Sequence, residues 1–240
     1  MSSGSTVTLS TDDGPMPTYE SRPEGKPRGG AVVVQEAFGL TSHIEGVTRW
    51  LADAGYHAVA PALFHRQGAP VLSYDDFDRV RPAMEGLTAG GITTDLHAAL
   101  AHLNEAGHAE ASIGVIGFCM GGTVSFVAGT LHPLGAAVTF YGSGIRQGRF
   151  GFPSLLELAP KLASPWLGLY GDRDQGISVE EVEELRGAVA GATVDTEIVR
   201  YPDAEHGFNC DDRPSFNAAA SADARLRTLQ WFDRHLSART

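Results

Sequence analysis

Ser112-Ile113-Gly114-Val115-Ile116-Gly117-Phe118-Cys119-Met120-Gly121-Gly122-Thr123-Val124-Ser125-Phe126-Val127-Ala128 runs from an apolar strand into a helix through one cysteine set between glycines. A nucleophile on a sharp strand-to-helix turn needs small neighbours, so that the backbone can bend and the helix can pack close to the sheet. Gly117, Gly121 and Gly122 meet that need. The turn also puts the Cys119 thiol at a helix N-terminus, where free N–H groups and the helix dipole favour thiolate. The common fate of a cysteine is burial as a small hydrophobe. With 29 glycines in 240 residues the flanking pair is a weak signal by itself, so the strand before Cys119 and the helix after it carry the reading.

Working outward, Ala31-Val32-Val33-Val34 is a β-branched run of the kind expected for a strand buried on both faces, and it ends at Gln35-Glu36-Ala37-Phe38-Gly39. Ile44, Val47, Trp50 and Leu51 predict an amphipathic helix over 42–54 closed by Gly55. Strands are predicted at 57–60, 113–116, 136–141, 165–170 and 196–201. Helices are predicted near 74–84 and over 94–103, 120–130 and 178–190, with a last one ending near Leu236. The irregular stretch 62–91 reads as a cover over a site. This alternation implies an α/β fold, a doubly wound, mostly parallel sheet with helices on both faces. No linker divides the chain. Residues 1–29 read as an N-terminal extension with possible edge strands, and 30–240 as a single domain.

The chain has 18 basic against 29 acidic residues, a formal charge of −11. That balance argues against a nucleic-acid or anionic-membrane surface and leaves small-molecule work as the expectation. The two cysteines, Cys119 and Cys210, form neither a redox pair nor a zinc motif, so no metal or other cofactor is expected and a reducing, cytoplasmic location fits. The start lacks a signal-peptide pattern, and no run approaches a membrane span. A monomer or homodimer is expected.

In such a sheet, sites form beyond the carboxyl ends of the strands, and Glu36, Cys119, Asp172 with Asp174, and His206 all fall there. Nucleophile, acid and histidine follow in the chain order of α/β-hydrolases. A cysteine nucleophile needs an imidazole oriented by a carboxylate, and of nine histidines His206 alone lies in a loop just after a late strand. Asp174 lies further into its loop than Asp172, which spacing alone does not exclude and which also suits a turn or cap role. Asp203 and Glu205, beside His206 in sequence, are expected to face solvent.

Four segments, Gln35-Glu36-Ala37-Phe38-Gly39, Gly117-Phe118-Cys119-Met120-Gly121-Gly122, the Gly-x-x-Asp-x-x-Ile pattern of Gly171 to Ile177, and Glu205-His206-Gly207-Phe208, together resemble the dienelactone hydrolase (carboxymethylenebutenolidase) family over residues 30 to 236. The resemblance implies a Cys119, Asp174, His206 triad and an oxyanion hole from the backbone N–H groups of Met120 and Ala37. It also gives Glu36 a role. A carboxylate beside the thiol disfavours ionisation of the resting sulfur by like-charge repulsion and, once substrate displaces it, accepts the proton. The alternative for Glu36 is a structural pair with an arginine.

The family commonly has an arginine four residues after the catalytic histidine to bind a substrate carboxylate, and here that position is Cys210. Arg79 or Arg81, or Arg213 one turn beyond Cys210, are candidates to supply the fork, although each also reads as a solvated surface arginine. Phe38, Tyr141, Trp166 and Phe208 are candidate apolar walls or core aromatics. The connection 142–160, with Arg146, Arg149, Phe150 and Phe152, is expected to shape the pocket mouth. The expectation is a hydrolase that opens a lactone or activated ester through a Cys119 thioester. A broader carboxylesterase or thioesterase and a noncatalytic binding module are the alternatives.

Overall fold

In the computed structural model, which describes residues 2–236, eight strands make one sheet. They are β1 (Gly4–Thr11), β2 (Gly14–Ser21), β3 (Gly29–Val34), β4 (Tyr56–Pro61), β5 (Ile113–Phe118), β6 (Ala136–Phe140), β7 (Trp166–Gly171) and β8 (Thr196–Tyr201). Their order is β1-β2-β4-β3-β5-β6-β7-β8. The β1/β2 and β2/β4 pairings are antiparallel, and all pairings from β4 to β8 are parallel. Every residue of β3, β4, β5, β6 and β7 is buried. That is why these strands read as uninterrupted apolar runs rather than as alternating ones.

The helices are α1 (Ser42–Asp53), α2 (Phe77–Glu85), α3 (Ala89–Glu105), α4 (Met120–Leu131), α5 (Leu155–Leu158), α6 (Val179–Val189) and α7 (Ala218–His235). Right-handed crossovers fix their faces. The path β3–α1–β4 steps toward β1, whereas β4–α3–β5 and the later crossovers step toward β8, so α1 lies on one face and α3, α4 and α6 on the other. The connections leaving β3 and β5 diverge in opposite directions. Between neighbouring parallel strands this divergence opens a crevice at their carboxyl ends, and those ends carry Glu36 and Cys119.

Two elements depart from the sequence reading. The helix expected from residue 94 begins at Ala89, because the Thr88 hydroxyl accepts from the Gly91 N–H at 3.1 Å and so caps a first turn containing two glycines. The strand expected to include Tyr141 ends at Phe140, and Tyr141 turns to φ 39°.

Candidate active site

Cys119 sits between β5 and α4 with φ 55° and ψ −117°. A non-glycine residue held there costs about 1–3 kcal/mol, which the surrounding contacts must offset. The Cys119 N–H donates to the Phe140 carbonyl at 3.1 Å, so the β5/β6 pairing continues through the bend. A Cβ on Gly117 would lie 1.8 Å from the Gly121 carbonyl oxygen, and one on Gly121 would lie 2.4 Å from those of Val34 and Gln35. The glycines are therefore demanded by contact between the elbow, the start of α4 and the end of β3. As the first residue of α4, Met120 has an N–H that the helix leaves without an intrahelical partner. Met120 and Ala37 both border the cavity.

Asp174 and His206 arrive from the loops after β7 and β8. The Asp174 Oδ1 accepts from the N–H groups of Gly176 at 2.8 Å and Ile177 at 3.1 Å. This leaves Oδ2 to accept from His206 Nδ1 at 2.6 Å. The Gly-x-x-Asp-x-x-Ile pattern thus has a physical cause: backbone donors fix one carboxylate oxygen so that the other orients the ring. His206 and Cys119 border the same cavity. Burial pushes the His206 imidazole down, but the Cys119 sulfur and the Asp174 carboxylate outweigh it and hold the ring up at about 10. Asp172 points elsewhere, in a two-pronged pair with Arg200 at 2.7 and 2.8 Å. Asp203 and Glu205 are exposed.

Glu36 is fully buried at the end of β3. Its Oε1 accepts from the Tyr141 hydroxyl at 3.4 Å and lies 3.6 Å from Nη1 of Arg213, while its Oε2 is buried with no hydrogen bond. Arg213 is the structural partner for this carboxylate that the sequence reading left open. Its guanidinium also lies 5.7 Å from the Phe38 ring centroid and 5.9 Å from that of Tyr74, and it crosses so close to Gly207 that a Cβ there would meet it at 2.3 Å.

The cavity over Cys119 holds about 490 Å³. Phe38, Phe77, Val80, Met84 and Ile177 form its apolar wall, and Cys119, His206, Arg213, Arg149 and Ser143 its polar one. The stretch expected as a cover supplies Phe77, Val80 and Met84 from α2. The expected arginines fall differently. Arg79 is exposed and pairs with Asp76, whereas Arg81 borders a groove with Glu85 and Phe150 that shares Phe77, Val80, Met84 and Arg149 with the wall of the cavity. Arg213 and Arg149 occupy the wall instead. Tyr141 and Phe208 also miss the wall. Both are fully buried, with ring centroids 5.2 Å apart, and Tyr141 backs His206 at 5.0 Å. Trp166 is core too, donating through its indole N–H to Thr139. Cys210 is buried against the Tyr74 hydroxyl at 3.3 Å, its thiol pushed up to about 11 by burial and the Glu36 charge.

Sequence reasoning gave no role to Gln35 or Tyr74, and placed Arg149 only in the connection expected to shape the pocket mouth, where it lines the cavity. The Gln35 side chain ties β3 to the end of β4 by accepting from the Leu63 N–H at 3.1 Å, and its place in the Gln-Glu segment was the available signal. Tyr74 packs edge-on against Phe38, with ring centroids 4.6 Å apart. Its position depends on a long loop that carries no periodic pattern.

An eight-stranded sheet in this order, with cysteine, aspartate and histidine brought together at the carboxyl ends of β5, β7 and β8, defines an α/β-hydrolase fold. A family model described as the dienelactone hydrolase family matches residues 16–236, and the chain belongs to that family. An Escherichia coli K12 protein provisionally named carboxymethylenebutenolidase is 36% identical over 228 residues, spanning 92% of this chain and 83% of that one. The Rhodococcus opacus carboxymethylenebutenolidase is 29% identical over 212 residues, spanning 86% and 81%. A crystal structure provisionally titled dienelactone hydrolase, from Klebsiella pneumoniae, superposes with a TM-score of 0.89 at 32% identity, covering 98% of this chain and 99% of that chain. Among the described residues no helix is long and apolar enough to cross a membrane.

Proposed function

We propose that this hydrolase opens a lactone or activated ester through a thioester on Cys119. The observation that carries the reading is the 2.6 Å bond from His206 to Asp174 in the cavity that Cys119 also lines. The Cys119 sulfur attacks the acyl carbon. The oxyanion is held by the Ala37 and Met120 N–H groups, each such donor being worth about 3 kcal/mol in the transition state. Glu36 takes up the thiol proton and returns it when the sulfur is released, and His206, itself protonated, gives its own proton to the departing oxygen. It then takes a proton from water, and the resulting hydroxide cleaves the thioester and frees the carboxylic acid.

Arg213 supports an anionic substrate. It replaces, from three residues further on, the arginine whose usual place is taken by Cys210, and it reaches the cavity wall held by two aromatic rings and Glu36. A substrate carboxylate that engages Arg213 loosens its pair with Glu36 and leaves Glu36 free to accept the thiol proton, the role implied by the family resemblance. The test is turnover of an enol lactone carrying a carboxylate beside a neutral aryl ester. Cys119→Ala should abolish both, and the parent should favour the anionic substrate in kcat/KM by about 10–100-fold, the range of a charged hydrogen bond. Undiminished turnover by Cys119→Ala refutes the mechanism. Equal use of both substrates refutes the role of Arg213 and leaves a broad carboxylesterase.

A further inference from the structure

At the opposite edge of the sheet from Cys119, three elements converge on one carboxylate oxygen. Glu20 Oε1, on β2, accepts from Nε2 of His57 at 2.7 Å and from Nε2 of His102 at 2.9 Å. His57 lies at the start of β4 and is fully buried, while His102 lies in the last turn of α3 and is partly open to solvent. The three ligand atoms all lie within 4.8 Å of one another. Behind them, His57 Nδ1 is 3.2 Å from Nε2 of a second buried histidine, His108. None of these four residues takes part in the hydrolytic chemistry proposed above.

We propose that Glu20, His57 and His102 form a site for a divalent cation of the zinc class that binds the β1–β2 hairpin to β4 and α3. Two imidazoles and one carboxylate, with a fourth position left to water, make a ligand set that suits zinc. Tetrahedral bonds of 2.0–2.2 Å place ligand atoms about 3.3 Å apart. The hydrogen-bonded atoms must therefore spread by about half an ångström, a side-chain movement that Glu20 and His102 can make while buried His57 stays fixed. In the metal-free arrangement the imidazole protons sit between nitrogen and carboxylate. When a cation takes the two Nε2 lone pairs, each neutral ring carries its proton on Nδ1, and the His57 Nδ1–H then donates to His108. This is the outer hydrogen bond that orients a metal-bound histidine. Arg22 is the one opposing charge, with Nη2 at 3.0 Å from the same oxygen. Its side chain is 55% exposed and is free to swing into solvent when a cation enters.

The test uses the untagged full-length chain carrying Cys119→Ala, so that the hydrolytic cysteine offers no thiolate. Titration calorimetry with zinc should show about one ion per chain, and zinc should raise the thermal midpoint. Cobalt should give the visible absorption of a tetrahedral nitrogen and oxygen site, without a sulfur charge-transfer band. Adding His102→Ala, or the gentler Glu20→Gln, should weaken binding about tenfold or more and abolish the thermal gain. Arg22→Ala should tighten binding, because it removes the competing cation. No uptake by the Cys119→Ala protein overturns the proposal, as does uptake that is indifferent to His102→Ala, Glu20→Gln and Arg22→Ala.

Discussion

Gly121→Ala tests whether the contact between α4 and β3 sets the oxyanion geometry. The added Cβ would stand 2.4 Å from two carbonyl oxygens, those of Val34 and Gln35, where ordinary contact begins at 3.4 Å. The start of α4 must therefore back away from the end of β3 by about 1 Å. Both oxygens are backbone, so no side chain can yield instead. Overpacking of this kind costs about 1–3 kcal/mol, a fall of roughly 2–12 °C in the unfolding midpoint for a chain of this length. The larger effect falls on activity. Met120 lies beside Gly121 and Ala37 two residues after Gln35, so the same displacement separates the two N–H groups proposed to hold the oxyanion. A misplacement of about 1 Å costs on the order of 10²-fold in rate. Turnover of an aryl ester should fall by that factor, while the rate of Cys119 alkylation by iodoacetamide stays within severalfold of the parent, since the thiol and its histidine remain in place. A variant that loses several degrees of stability yet keeps kcat within threefold would refute the reasoning.

Two further outcomes follow from the charges around the cavity. Cys119→Ala removes the largest influence holding the His206 imidazole up at about 10, so the ring followed by nitrogen-detected NMR should titrate at clearly lower pH. Because its folded-state value is raised above the ordinary 6.5, His206 contributes stability that is complete below pH 6.5 and lost as pH rises through about 10; the parent's stability advantage over Cys119→Ala should shrink across that window, and an unchanged His206 titration would leave Asp174 alone as the cause. Arg213→Gln leaves the Glu36 carboxylate buried without its counter-charge, a loss of about 3–5 kcal/mol for a well-formed buried pair and less here at 3.6 Å. Chemical denaturation should register it, together with a KM for anionic substrates raised about tenfold or more and a much smaller change for neutral ones.

The parts of this molecule that were legible in the sequence are those where one residue type satisfies one local demand. β3, β5 and β6 are buried on both faces, so their apolar runs had no competing explanation. Gly117 answers a clash four residues away, Gly121 and Gly122 answer contacts with β3 and the end of β6 that a sharp elbow makes general, and Asp174 is held by N–H groups two and three positions away. The antiparallel hairpin β1–β2 was visible only as a possibility, because most of β1 is half-open and built of serine and threonine. The arginines were harder, since a guanidinium on a long stem is placed by what it meets and not by its neighbours in sequence. Arg213 is held by Glu36, Phe38 and Tyr74, all more than a hundred residues earlier. Helix phase separates the two arginines of α2: Phe77, Val80, Arg81 and Met84 fall at i, i+3, i+4 and i+7 on one face, and Arg79 falls outside it. Tyr141, just past the end of β6, and Phe208, in the loop after β8, read like wall residues, but they close the core beneath His206.

The gathering of Cys119 and His206 from distant parts of the chain also has a meaning in time. During synthesis the thiol is made about 90 residues before its imidazole, an interval of roughly 5–20 s at ordinary elongation rates. Within that interval β7 and β8, the strands whose following loops carry Asp174 and His206, are still being made. Until then no imidazole stands beside the nascent cysteine, and under the proposed mechanism hydrolytic competence arrives with the last quarter of the chain.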